Sequence, residues 1–115
     1  MGFMTMRWPA LKDAWFALLA ASAFAPAAFA GCTLPPAPSK VPDGMTASEP
    51  EMLTAMRTLK RYDGDVSVYL KCLGFEVKQG RLSVEEGARL HNAALERLKK
   101  AADLFNAQMR VFRGE

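Results

Sequence analysis

One histidine and two cysteines are the only imidazole and thiol groups in these 115 residues. A structural zinc site draws on about four Cys or His ligands at short spacing, and His91, Cys32 and Cys72 stand far apart in the chain. Hydrolysis asks for a nucleophile, a base and an orienting group, and there is no pair of carboxylates in an apolar setting and no glycine-rich phosphate loop. Asp63-Gly64-Asp65 with Ser67 resembles part of a calcium loop, but the Gly and Glu needed at its sixth and twelfth positions are missing. The residues argue against an enzyme and call for no metal or cofactor. Tryptophan is absent after Trp15, so a core beyond that point must be built from smaller side chains.

What is present at the start reads as an address. Arg7 and Lys12 precede an uncharged, mainly apolar stretch over 14–25, and Ala28-Phe29-Ala30 follows with small residues at cleavage spacing. This order predicts a secretory signal peptide over 1–30, cut between Ala30 and Gly31. The apolar stretch is short for an uncleaved anchor across ~30 Å of hydrocarbon. Loss of Arg7, Lys12 and Asp13 lowers the net charge from +3 to +2, a solvated surface rather than a nucleic-acid footprint. The destination would be periplasmic or secreted.

Residues 31–45 are rich in proline and have no apolar period, which predicts an extended segment ending in a turn at Pro42-Asp43-Gly44. Overlapping capping boxes at Thr46–Glu49 and Ser48–Glu51 then start a helix. Its apolar seam is Met52, Ala55, Leu59, Tyr62, Val66, Tyr69 and Leu73, in steps of mostly four and three. Gly64 is a soft spot, since glycine costs ~1 kcal/mol inside a helix, yet the seven-residue register continues through it. Gly74 or Gly80 can supply the left-handed residue that ends the helix.

A second helix opens on Ser83-Val84-Glu85-Glu86, another capping box. Its seam is read as Val84, Ala88, His91, Leu95, Leu98, Ala102, Phe105, Met109 and Phe112. The two seams predict an all-α fold, an antiparallel two-helix hairpin of coiled-coil character over 46–115, with helices at about 47–75 and 83–112. Met52 and Met109 serve as packing filler on these seams. His91 stands on the second seam as a hydrogen-bonded edge residue; its functional alternative is a small-ligand site between the helices, shared with Tyr62 and Tyr69.

The two cysteines admit three states. A helix from Thr46 to Cys72 rises about 39 Å, and an extended chain from Cys32 to Thr46 covers about 43 Å. The proline-rich segment can therefore fold back as a strap and join Cys32 to Cys72, closing a loop of about 40 residues for ~3–4 kcal/mol. Alternatively, Phe29-Ala30-Gly31-Cys32 is a lipobox and Cys32 carries lipid, which would make the chain an envelope lipoprotein with a membrane contact. Free thiols are the third state, disfavoured by export.

Val41–Ala47, Tyr69-Leu70-Lys71-Cys72-Leu73, His91–Ala94 and Phe105–Phe112 together resemble small exported proteobacterial helical proteins of unassigned function. That resemblance implies export and the cysteine pairing, and carries no activity. The expectation is a non-catalytic module of the bacterial cell envelope. It would work through its helix seams, with a second copy or an envelope protein as partner.

Overall fold

The computed structural model describes residues 31–115; the expected signal peptide and Ala30 of its cleavage site lie outside the described residues. Two helices, α1 (Glu49–Lys78) and α2 (Val84–Phe112), form a hairpin, and there is no strand among the described residues. An extended segment from Cys32 to Asp43 runs back along the hairpin.

Of the two capping boxes at the start of α1, Ser48 wins. The Glu51 N–H donates to Ser48 Oγ at 3.3 Å, and the Ser48 N–H donates to Glu51 Oε2 at 2.6 Å. Pro50 falls within the first turn, where its missing N–H has no helical partner to lose. α1 continues without a break through Gly64 and Gly74, and ends one turn later than the sequence suggests. Gly80, at φ +75, is the left-handed residue. The Gly80 N–H donates to the Val77 carbonyl and the Arg81 N–H to the Glu76 carbonyl, the two bonds of a Schellman motif. The same pair of bonds closes α2 around Gly114.

The cap of α2 is half of what was expected. The Glu86 N–H donates to Ser83 Oγ at 3.0 Å, but the Glu86 carboxylate turns forward to Arg89 instead of back to the Ser83 N–H. A charged donor on the next turn outcompetes a neutral one behind.

The α1 seam is where the sequence puts it: Met52, Tyr62, Val66, Tyr69 and Leu73 are buried. The α2 seam is not. Gly87, Ala94 and Phe105 are buried and Leu90, Leu98 and Ala101 half-buried, while Val84, Ala88, His91 and Leu95 are exposed. The helix is rotated by about one residue over its first half relative to the expected seam. The reason is steric. A Cβ on Gly87 would stand 2.6 Å from Val77 Cγ2, so small residues let the backbones close up, and the bulkier leucines flank the contact.

The strap shares this core. Cys32 and Ala37 pack against the cluster formed by Tyr62, Val66, Tyr69, Leu73 and Ala94. Pro35 is buried as well. The strap ends in the expected turn, where the Asp43 carboxylate accepts from the Met45 N–H at 2.9 Å. Gly44 is pressed against α2: its N–H donates to Gln108 Oε1 at 2.8 Å, and a Cβ there would lie 2.2 Å from the Gln108 carbonyl oxygen.

Candidate functional site

The hairpin has two ends of different character, and each is made by the strap. At the turn end, Cys32 is joined to Cys72 by a disulfide with the Cα atoms 5.6 Å apart. Glu76, one turn beyond Cys72, is buried although ionisable. Its carboxylate is held by Arg81, with Nε to Oε2 at 2.6 Å and Nη2 to Oε1 at 3.1 Å. The Schellman turn creates this pair, because it folds residue 81 back over residue 76. The hydrogen bonds from Arg81 hold the Glu76 carboxyl below its usual value, against the opposing effect of burial. The guanidinium also stands over the Phe75 ring, 5.5 Å from its centre.

Cys32 Sγ, Cys72 Sγ and a Glu76 oxygen lie within 4.8 Å of one another. As a donor set this cluster is spent: each sulfur is bonded to the other, and both carboxylate oxygens face Arg81. A cleft of about 150 Å³ beside the disulfide is lined by Leu34, Tyr69, Leu73, Glu76, Arg81 and Leu90.

The expected trio does not form a site. Tyr62 and Tyr69 are in the core, whereas His91 is on the exposed side of α2. The Tyr62 hydroxyl is buried and meets no hydrogen-bond partner among the described residues. It is therefore not the companion of His91.

At the open end, the strap stands away from the helices and leaves a groove of about 540 Å³. One wall is Pro38, Lys40, Val41 and Pro42; the other side is Pro50, Glu51, Thr54, Ala55, Thr58 and Leu59 of α1 with Ala101, Leu104 and Phe105 of α2. The surface is mainly apolar. Thr58 donates its hydroxyl to the Thr54 carbonyl at 3.0 Å, and the Glu51 carboxylate accepts from the Ser48 N–H, so the charged groups of the lining are one lysine, Lys40, and one carboxylate, Glu51. The sequence predicts a strap folded back toward Cys72, and nothing in the proline spacing marks the stretch where it stands off the helices.

A third feature is a surface. Val84, Ala88, His91 and Leu95 occupy one exposed face of α2, beside the buried seam, with Val84 68% and Leu95 41% exposed. No helix among the described residues is long and apolar enough to cross a membrane.

The chain matches no protein-family model, no curated protein and no solved structure.

Proposed function

We propose that this chain is an exported, non-catalytic interaction module of the cell envelope, a disulfide-stapled hairpin that pairs through the free face of α2. The observation that carries the reading is the stripe Val84, Ala88, His91, Leu95. It has the four-three-four spacing of a helix-packing seam, yet it lies outside the hairpin's own contact. α2 thus has two adjacent apolar faces: α1 covers one, and the other is open to a further helix. Two hairpins joined by such faces would make a four-helix bundle, with a second copy as the first partner to test and an envelope protein as the next.

Export is supported by the sequence before residue 31 and by the disulfide, which suits an oxidising compartment. The disulfide also favours a soluble periplasmic or secreted chain over a lipoprotein, since a Cys32 sulfur bonded to Cys72 has no thiol to acylate.

Light scattering of the oxidised chain across concentration tests the pairing. The expected result is a concentration-dependent dimer that Leu95→Glu dissociates while the helical circular dichroism is kept. A chain that stays monomeric, and whose cross-linking to envelope proteins is unchanged by Leu95→Glu, would remove the reading.

A further inference from the structure

Glu76 is the one buried carboxylate among the described residues, and Arg81 is not the only part of the chain that reaches it. A Cβ on Gly31 would stand 3.9 Å from Glu76 Oε1. The Gly31 nitrogen is about 2.5 Å from that point by covalent geometry, so it lies at most roughly 6.4 Å from the carboxylate oxygen. Cys32 is bonded to Cys72, one helical turn before Glu76, and this holds residue 31 in place. Oε1 accepts from Arg81 Nη2 at 3.1 Å, and a carboxylate oxygen has a second lone pair to offer.

Within a peptide bond to Ala30 the Gly31 nitrogen is uncharged. Hydrolysis of that bond consumes one water: its oxygen leaves on Ala30 as a carboxylate, and both its hydrogens end on the Gly31 nitrogen as an ammonium. We propose, resting on the export and leader removal argued above, that Glu76 is the receptor of this new terminus. Cleavage sets the Gly31 α-ammonium against Oε1 and closes the turn end of the hairpin with a second ion pair. Opposite charges at ~4–6 Å favour each other's ionised form. The other charged groups nearby are few. α1 adds Asp65, across the cleft that Gly31, Thr33 and Pro35 border, and the uncharged phenol of Tyr69. The connection adds Arg81, already committed to Glu76, and α2 brings only Leu90 to the neighbouring cleft. Two carboxylates against one guanidinium leave the surroundings net negative.

The test uses the full chain, expressed with its leader and purified after processing, with the intact mass read first. The expected chain begins at Gly31. Followed by the NMR shifts of Gly31, its α-amine should hold the proton about threefold more tightly than an ordinary terminus, which titrates at ~7.7–8.0. Glu76→Gln, which keeps the side-chain shape, should return it to that range. A second measurement keeps the parent sequence. Cyanate near pH 7 carbamylates the α-amine ahead of the lysines and removes its charge. An amine that binds its proton more tightly when folded stabilises the fold fully below ~7.7, and loses that effect as the pH rises through the folded value. The unmodified chain should therefore melt about 3 °C above the carbamylated one at pH 6.5, and level with it by pH 10.

A chain that begins at Gly31 but titrates alike in parent and Glu76→Gln overturns the proposal and leaves export standing. So does a Tm at pH 6.5 that carbamylation does not move, and this readout decides alone if Glu76→Gln does not fold. A mass that keeps the leader, or that begins at Cys32 with acyl chains, overturns the proposal together with the cleavage before Gly31.

Discussion

Val77 Cγ2 occupies the space that a side chain on Gly87 would need: a Cβ there would lie 2.6 Å away. This one contact sets the rotation of α2 against α1 at the turn end, and so decides which of two apolar stripes is buried. Gly87→Ala pits a helix-propensity gain of ~1 kcal/mol against overpacking of ~1–3 kcal/mol. The clash should win, because a β-branched valine in a helix has one good rotamer and cannot swing away. Urea unfolding should show a net loss of about 1–2 kcal/mol, most of it recovered in Val77→Ala/Gly87→Ala. A variant as stable as the parent would mean that the interhelical spacing is set elsewhere.

Gly64 is the opposite case. It lies inside α1 with a negative φ, and a Cβ there would meet nothing within 4 Å. Gly64→Ala should therefore raise stability by about 1 kcal/mol through the unfolded chain alone. Thermal melting followed by circular dichroism reads it directly, and a destabilised variant would show that the helix bends or opens at that point.

These two glycines also explain what was and was not legible in the sequence. The α1 seam could be read because large side chains such as Tyr62, Val66, Tyr69 and Leu73 mark it. Around α2 the pattern contains two stripes, Ala88, His91, Leu95 and Gly87, Leu90, Ala94, which merge at Leu98 and Phe105. Apolar counting prefers the bulkier stripe, but close packing prefers the smaller one, since glycine and alanine admit a nearer neighbour. The Glu76–Arg81 pair escaped notice because a five-residue interval is not a helix-face spacing; only the turn around Gly80 brings the two together. Cys32–Cys72, by contrast, is within reach on the sequence alone, and it is the one of the three states open to the cysteines that the structure shows.

The disulfide closes a loop of 40 residues in sequence, and its loss should lower stability by ~3–4 kcal/mol on the chain-entropy account. The double variant Cys32→Ser/Cys72→Ser, compared with the oxidised parent in urea, measures this without reductant. A difference under about 1 kcal/mol would show that the strap is held chiefly by Pro35, Ala37 and Gly44 and not by the sulfur bridge.

Tyr62 carries a hydroxyl buried without a partner among the described residues. Leaving such a group unsatisfied costs ~1–3 kcal/mol, so deleting it should help. Tyr62→Phe is expected to stabilise by about 1 kcal/mol, seen as an upward shift of Tm. A fall in Tm would reveal a hydrogen bond that the hydroxyl makes, with an internal water as the first candidate to look for.

Glu76 gives the fold a pH dependence whose sign follows from Arg81. The folded carboxyl sits below its ordinary value of 4.5, chiefly because Arg81 hydrogen-bonds the ionised form. The unfolded chain therefore takes up the proton first as the pH falls. Stability from this pair is complete above pH 4.5 and drains away between there and the lower folded value. Glu51, lowered by its bond to the Ser48 N–H, and Glu86, lowered by Arg89, act in the same direction from exposed sites. Tm measured from pH 6 to pH 3 should fall steadily below about 4.5. Glu76→Gln should melt lower than the parent near neutrality and show a shallower fall, so that the two curves converge in acid. Parallel curves would mean that the buried carboxylate is uncoupled from folding, and that the acid sensitivity belongs to other carboxylates such as Glu51 and Glu86.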